Sequence, residues 1–171
     1  IFYANRQPEL DISNRPRLVT HHWSKNPKKG FHFYSFLQNH IDKTFEFDFR
    51  YIGRLPEEVL IKNHTAPIAA IDLSLELPKS EIYITASIEE AGANHVVEAL
   101  GCGLPIVYHD EGGSINNYCK DYGESFNTFE SLLESVRLVA SSYSTYKNRA
   151  MSYDRNNDDV VSKYLEVINN I

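Results

Sequence analysis

The sequence predicts an α/β fold, a doubly wound (Rossmann-like) parallel sheet with helices on both faces. Short apolar segments typical of strands alternate along the chain with longer segments of helical periodicity, the pattern of repeated strand–helix–strand units. With 171 residues, of which 42% are hydrophobic, the chain is large enough to bury a core of its own. The predicted architecture is therefore a single sheet with its connecting helices packed on either side.

The first half of the chain is predicted to form a strand at 18–21, a helix at about 31–41, a strand at 45–51 and a helix at 69–77. The second strand has the clearest pattern, because aromatic residues at 45, 47, 49 and 51 alternate with charged ones. This period of two buries one face of the strand, which Gly53 then ends. Pro78 stops the helix before it, since proline cannot continue the helical hydrogen bonding.

The second half is predicted to form a strand at 82–85, a helix at 94–102, a strand at 105–108, a short helix opened by 112–114, a short strand at Phe126 and two further helices. Asn94 suits the N-cap of the first of these helices, and Gly103 suits its C-terminal end. Asp154 is predicted to cap a terminal helix at 154–171. Apolar stripes are expected to turn the last two helices toward the core: Phe129, Leu132, Leu133 and Val136, then Val160, Val161, Tyr164, Leu165 and Ile168.

The chain is predicted to be one domain over 1–171, with a lead-in segment at 1–16 and no linker or internal repeat. Its net charge of −6 argues against nucleic acid as a partner. The two cysteines form no disulfide framework and no apolar run approaches bilayer-spanning length, so a cytoplasmic setting is expected. Because the sequence begins at Ile1, we expect a piece of a longer protein or a processed product. Six basic residues crowd its start as a solvated face or an anion-facing end: Arg6, Arg15, Arg17, Lys25, Lys28 and Lys29.

Two carboxylates, Glu90 and Glu98, bracket a small-residue loop and the first turn of the helix that follows a buried strand. Doubly wound folds bind ligands at this edge, beyond the carboxyl ends of the strands. Gly92 and Ala93 leave the backbone open, and a helix N-terminus binds anions through free N–H groups. Carboxylates suit sugar hydroxyls, so the pattern favours a ligand with both phosphate and polyol. The alternative is a pair of surface carboxylates at a helix start, where negative charge is stabilising without any ligand.

The run from Glu90 to Val107 resembles the Glu-x7-Glu signature of retaining GT-B glycosyltransferases of the large family-four group (glycosyl transferases group 1), usually E-G-F-G-x-x-x-x-E-A-x-A-x-G-x-P-V-V. Both glutamates match in spacing, followed by Ala99, Gly103, Pro105, Ile106 and Val107. Weaker similarities lie in Asn26-Pro27-Lys28-Lys29-Gly30, in Gly112-Gly113 and in Ser152-Tyr153-Asp154. The resemblance covers about residues 17–170 and implies one half of a GT-B fold, the C-terminal, donor-binding half.

The resemblance also implies roles for individual residues. Glu98 would bind the ribose hydroxyls of a nucleotide-diphosphate sugar, and Glu90, the predicted catalytic residue, would contact hydroxyls of the transferred sugar. The diphosphate would face Lys29 and the backbone of Gly92, Ala93, Asn94 and His95. Transfer would then need no metal and no cofactor, because a lysine and a helix end balance the charge of the departing diphosphate. Such enzymes retain the anomeric configuration, by front-face attack in which the leaving phosphate helps to deprotonate the acceptor.

Two departures from the family pattern affect the site. Ala91-Gly92-Ala93 replaces the usual Gly-Phe-Gly, so the approach of the backbone to the donor differs in detail. The family's diphosphate arginine is missing near His22-Trp23-Ser24, and Ser24, Lys25 or Lys28 are the candidates to replace it. Arg54 is either a further contact to base or phosphate or a surface residue. Gly112 and Gly113 complete the predicted donor site.

The resemblance implies an N-terminal acceptor-binding domain as partner and suggests polysaccharide or lipopolysaccharide assembly, with a membrane-associated glycolipid acceptor at the inner face of the membrane. Two alternatives remain open: another GT-B nucleotide-sugar enzyme, such as an epimerase, and a doubly wound binding module without chemistry. No metal site is predicted from His21, His22 and His32, since no carboxylate completes one at ligand spacing. Gly101-Cys102-Gly103 follows a helix rather than a strand, which excludes a dinucleotide fingerprint.

Overall fold

The computed structural model describes residues 1–7, 9, 11–155 and 157–169. Its centre is a parallel sheet of six strands: β1 (Arg17–His22), β2 (Asp48–Gly53), β3 (His64–Thr65), β4 (Ile82–Thr85), β5 (Ile106–His109) and β6 (Gly123–Phe126). The order in space is β3-β2-β1-β4-β5-β6, with every neighbouring pair parallel. The predicted fold class, a doubly wound Rossmann-like sheet, is confirmed. The strand order reverses between β1 and β4, where such sheets bind ligands.

Seven α-helices lie in the described part of the chain: α1 (Phe31–Thr44), α2 (Ala70–Glu76), α3 (Asn94–Gly101), α4 (Ser114–Cys119), α5 (Phe129–Ser141), α6 (Tyr143–Met151) and α7 (Asn157–Asn169). Short 3₁₀ turns cover Phe2–Asn5, Pro27–Lys29 and Leu77–Lys79. None of these helices combines the length and the apolar character needed to cross a membrane.

Two hydrophobic clusters lie on opposite faces of the sheet. Leu18 belongs to the cluster under α1, α5 and α6, whereas its neighbour Val19 belongs to the cluster under α2, α3 and α4. Because both faces are covered, all four residues of β4 and all four of β5 are buried. Strands buried on both faces are near-continuous apolar runs, which is why these two were predicted closely from sequence.

The aromatic alternation at 45–51 is strand only in its second half. α1 continues to Thr44, and Phe45 closes it in a left-handed conformation with φ of 54°. The Phe45 amide donates to the Ile41 carbonyl, so the ring points outward and is 67% exposed. The prediction of a strand beginning at Phe45 is wrong, because helix capping determines the local backbone. β2 begins at Asp48 and ends at Gly53, as predicted for its end.

The terminal helix differs from its prediction in two respects. It begins at Asn157, so Asp154 lies three residues before it and is not its N-cap. Its apolar residues were expected in the core, yet Val161, Tyr164, Leu165 and Ile168 are all more than half exposed. Neither described core cluster contains a residue of α7. The side chain of Val160 lies outside the described residues.

The lead-in segment is part of the fold. Phe2 and Tyr3 pack against the cluster under α3. Arg6 donates to the carbonyl of Gly101 at 2.9 Å and to that of Met151 at 2.7 Å, so it binds the C-terminal ends of α3 and α6. A positive charge at the C-terminal end of a helix also interacts favourably with the helix dipole.

The basic residues near the start of the chain do not form one anion-facing end. Arg15 pairs with Asp48 and Arg17 with Glu81, at the amino ends of the strands. Lys28 and Lys29 lie at the opposite edge and pair with Glu89 and Glu90. Their clustering in sequence therefore separates in space, because β1 runs between the two groups.

Gly30 tests how closely the loop before α1 approaches the sheet. Its φ is +72°, and a Cβ there would lie 2.2 Å from the Ala86 carbonyl oxygen. Gly30→Ala should therefore lower the free energy of unfolding by about 2–4 kcal/mol, from backbone strain and displacement of Ala86. Urea denaturation measures this change. Gly92→Ala is the control, because a Cβ at Gly92 meets no atom within 4 Å, and equal losses in the two variants would contradict the prediction.

Candidate functional site

Three loops meet at the carboxyl edge of the sheet, and backbone hydrogen bonds join them. The loop after β4 lies in the middle. Its Ile88 amide donates to the Lys28 carbonyl at 2.9 Å, in the loop after β1. On its other side Glu90 accepts from the Ser114 amide at 2.8 Å and donates to the Gly112 carbonyl at 3.2 Å. The predicted site segments are thus brought together at the point where the strand order reverses.

Gly113 allows this close contact. Its φ of 66° and ψ of −121° suit glycine, and a Cβ would lie 2.7 Å from the Glu90 carbonyl oxygen. Gly112 is buried beside it. The structure therefore places both glycines, predicted as donor-site residues, against the backbone of Glu90.

Lys29 and Glu90 form an ion pair at the centre of the edge. Their side chains are 15% and 18% exposed, so the pair is largely withdrawn from solvent. The loop holding Lys29 begins with a turn in which the Asn26 side chain accepts from the Lys28 amide at 3.0 Å. The sequence predicted that both residues face one ligand, and the structure brings the two side chains into contact.

Glu98 lies one turn into α3 and is 24% exposed. Its Oε2 lies 2.8 Å from Nε2 of His21, whose side chain is only 1% exposed at the end of β1. In the prediction from sequence His21 was considered only as a metal ligand, so this contact was not predicted. The contact spans 77 positions of the chain and depends on the pairing of β1 with β4. A prediction of the order of the strands in the sheet, and not only of the sheet itself, would have indicated this contact.

Two further histidines lie behind the loops. The rings of His22 and His95 are 5.0 Å apart, and burial lowers the pKa of each well below its ordinary value. Both imidazoles are therefore neutral at pH 7. His95 contacts Thr85 through Nε2 at 3.0 Å. Among the described residues, no group of three histidine, cysteine or acidic side chains could hold a metal ion.

Tyr34 connects this buried group to the loop after β4. Its hydroxyl accepts from the Ala86 amide at 2.9 Å and lies 2.7 Å from His22 Nε2. Burial raises the pKa of Tyr34 to about 12, so the phenol keeps its proton. A hydroxyl has one proton and two lone pairs, so it can bond to His22 Nε2 while it accepts from the Ala86 N–H. The chain of bonds fixes the backbone where the loop leaves β4.

The first turn of α3 is open. Asn94 was predicted as its N-cap, but it is the first helical residue, and the cap residue Ala93 makes no side-chain capping bond. The prediction fails because alanine at this position continues the close packing against the sheet, where Ala93 is only 1% exposed. A Cβ added at Gly92 would meet no atom within 4 Å beyond its chain neighbours, so the loop is open on that side. Free amides and open space at a helix start are the features that bind anions.

Three residues were predicted as substitutes for the missing arginine: Ser24, Lys25 and Lys28. Lys25 is exposed, and Lys28 pairs with Glu89. Ser24 accepts from the Asn26 amide at 3.0 Å, so its hydroxyl stabilises the local turn. Arg54, predicted as a contact to base or phosphate or as a surface residue, is exposed and donates to the Trp23 carbonyl at 3.2 Å. Neither Ser24 nor Arg54 has a described bond to Lys29, Glu90 or Glu98, and the structure does not gather them with these three.

No protein-family model and no curated protein matches this chain. Solved structures do. The chain is 16% identical to the pneumococcal O-GlcNAc transferase GtfA in complex with UDP and GlcNAc, with a TM-score of 0.68 over 94% of this chain and 37% of that one. TarM is 13% identical, with a TM-score of 0.69 over 96% of this chain and 37% of that one. WaaG, a glycosyltransferase involved in lipopolysaccharide biosynthesis, is 15% identical, with a TM-score of 0.60 over 83% of this chain and 43% of that one.

These similarities establish the fold. The chain has an α/β Rossmann-like fold that matches a half domain of these proteins, and the predicted fold class is confirmed. It spans well under half the length of each of the three proteins.

The Tyr34 hydroxyl offers a test of the buried network. Tyr34→Phe removes the partner of the Ala86 N–H and leaves His22 Nε2 with only its 3.4 Å contact to Thr20, and a lost buried bond of this kind costs about 1–3 kcal/mol. We expect a fall of that size in the free energy of unfolding, measured with urea. Tyr164→Phe, at a 68% exposed position, should change it by less than about 0.5 kcal/mol. An unchanged Tyr34→Phe protein would show that the hydroxyl does not stabilise the loop.

Proposed function

We propose that this chain is the donor-binding domain of a retaining glycosyltransferase that transfers a sugar from a nucleotide diphosphate. One observation supports this most directly. Glu90 and Glu98 flank the open loop at Gly92 and the uncapped start of α3, with Lys29 in contact with Glu90. This arrangement offers acceptors for hydroxyls on either side of amides and a cation for phosphate. A nucleotide sugar carries these groups in the same order: ribose, diphosphate, sugar.

In this proposal Glu98 binds the ribose. A carboxylate can accept from two vicinal hydroxyls, and charge-assisted hydrogen bonds of this kind are about twice as strong as neutral ones. Glu98 is partly buried beside His21 at the end of β1, where competing water is reduced. The ribose would lie over the first turn of α3, next to the switch point of the sheet.

The diphosphate would then lie over Gly92 and the amides of α3, with Lys29 as its cation. Negative charge develops on the diphosphate as the sugar leaves, and fixed positive groups stabilise that charge without reorganisation. Lys29 would turn from Glu90 to the phosphate, and Glu90 would accept from a sugar hydroxyl instead. We propose that no metal takes part and that the departing phosphate helps to deprotonate the acceptor from the same face, which retains the anomeric configuration.

The setting is proposed from the similar structures. GtfA was solved with UDP and GlcNAc, and WaaG is involved in lipopolysaccharide biosynthesis. These support a nucleotide-sugar donor and a polysaccharide or lipopolysaccharide product. Since the chain spans 37% of GtfA, we propose that an N-terminal domain binds the acceptor and faces this edge of the sheet. A cytoplasmic protein working at the inner face of a membrane would meet a glycolipid acceptor.

Two variants separate the ribose and phosphate parts of the site. Glu98→Gln should weaken UDP and uridine alike by about tenfold, because both carry the ribose. Lys29→Ala should weaken UDP by about tenfold and leave uridine unchanged, since uridine has no phosphate. The Lys29 effect should shrink with added salt, because ions screen the attraction between the lysine and the diphosphate. Calorimetry with both ligands measures all four affinities.

Lys62→Ala is the control for Lys29→Ala, because Lys62 is an exposed lysine that pairs with Asp42. It should leave both affinities unchanged. Equal losses of UDP and uridine in Lys29→Ala would assign Lys29 to the fold. Unchanged UDP binding in a folded Glu98→Gln protein would contradict ribose recognition by Glu98.

Catalysis is expected to require the second domain. In this chain alone the donor's sugar would project from the sheet edge into water, without an oriented acceptor, and orientation and exclusion of water supply much of a transferase's rate. Radiolabelled UDP-sugars with a glycolipid acceptor should show binding by this chain but negligible transfer. A protein that adds the facing domain should transfer the sugar, and should do so in EDTA. Rapid transfer by this chain alone would contradict the two-domain proposal.

A further inference from the structure

We propose that His21 is a positioning residue that holds the Glu98 carboxylate in the orientation that binds ribose; this rests on the proposed function of Glu98. The basis is a single buried contact between the end of β1 and the second turn of α3. Nε2 of His21 lies 2.8 Å from Oε2 of Glu98, and the histidine is 1% exposed. His21 lies outside the sequence motif around Glu98.

The imidazole is held firmly enough to act as a fixed donor. The Tyr83 ring meets it edge-on, with centroids 5.5 Å apart, and the His95 ring does so at 6.2 Å. The Tyr83 hydroxyl also accepts from the His21 amide at 3.3 Å. A ring enclosed in this way cannot rotate without disturbing its buried neighbours, because interiors are close-packed.

The position of the proton follows from the same contact. An ionised carboxylate only accepts, so Nε2 of His21 must carry a hydrogen. Nδ1 is buried without a partner among the described residues. Of the two tautomers, only the one with its hydrogen on Nε2 can donate to Glu98, so the geometry favours the Nε2–H tautomer. His21 therefore acts as a hydrogen-bond donor to Oε2 of Glu98.

The benefit to ligand binding is pre-organisation. A free glutamate has several side-chain torsions, and fixing them when a ligand binds costs conformational entropy. His21 fixes Glu98 before the ligand arrives, using Oε2. No described residue bonds to Oε1 of Glu98, so that oxygen and the remaining lone pair of Oε2 are available for vicinal hydroxyls.

Calorimetry with three ligands tests the proposal: UDP, uridine and 2′,3′-dideoxy-UDP, which lacks both ribose hydroxyls. His21→Leu should weaken UDP and uridine by about five- to tenfold and leave the dideoxy compound unchanged. His21→Gln should restore most of the affinity, because its side-chain amide can place a donor near Nε2 of the histidine. Equal losses for all three ligands would assign His21 to the fold alone.

A double-mutant cycle tests whether His21 acts through Glu98. If it does, His21→Leu should add little to the loss in Glu98→Ala, so that the two effects are strongly non-additive. The matched control is His22→Leu, which removes a buried imidazole from the same strand end. The native His22 contacts Tyr34 instead of Glu98. The effect of this control variant should be additive with Glu98→Ala. Additive effects for His21 would overturn the proposal.

A measurement without nucleotide keeps the two proposals separate. In ¹⁵N-labelled protein, NMR of the histidine rings should show His21 as the Nε2–H tautomer, and Glu98→Ala should shift its ring signals more than those of His22. The Nδ1–H tautomer, or His21 signals unaffected by Glu98→Ala, would overturn the positioning role. Failure of the native chain to bind any nucleoside diphosphate, with the tautomer as expected, would instead contradict the proposed function.

Discussion

The candidate site depends on the backbone hydrogen bonds that hold the loop after β4 between its two neighbours. Ile88 is joined to the loop after β1, and Glu90 is joined on the other side to the loop after β5. Side chains could not maintain this arrangement alone, since the loop would otherwise expose unpaired amides and carbonyls. Gly30 and Gly113 permit it by leaving no Cβ at the two points of closest approach. The relative placement of Lys29, Glu90 and Glu98 follows from these backbone contacts.

Polar groups are concentrated in the interior directly beneath these loops. Thr20, His21 and His22 are nearly inaccessible at the end of β1, although the rest of that strand's interior is apolar. Buried polar groups of this kind are costly unless they are bonded, so natural cores contain few of them. Here they connect to the loops, through Tyr34 to Ala86 and through His21 to Glu98. Stability and site geometry are therefore determined by the same few bonds.

The sequence predicted the sheet better than its periphery. β4 and β5 were predicted closely because strands buried on both faces are continuous apolar runs. α6 was not predicted, because Lys147 interrupts its apolar face although it is buried with its neighbours. The two-residue β3 is too short to give a pattern. In α7 the period predicted a helix correctly, but a period cannot say whether anything covers the apolar face.

The site was predictable only where its residues belong to short sequence motifs. The spacing of Glu90 and Glu98 identified the loop, and the structure places Lys29 beside Glu90. His21 and Tyr34 could not be found in the same way, because their contacts join strands and loops far apart in the chain. Asn94 was misplaced by one residue, since capping preference is a local statistic and Ala93 is fixed by packing.

The Lys29–Glu90 pair has a consequence for selectivity. Each partner is mostly withdrawn from solvent, and leaving either one unpaired would cost free energy. A simple anion that binds Lys29 would leave the Glu90 carboxylate unpaired. A simple sugar that binds Glu90 would leave the Lys29 ammonium unpaired. Only a molecule that presents an anion and hydroxyls a few atoms apart satisfies both at once. Under the proposed function, the resting pair would therefore select against free phosphates and free sugars, each of which carries only one half of the proposed donor.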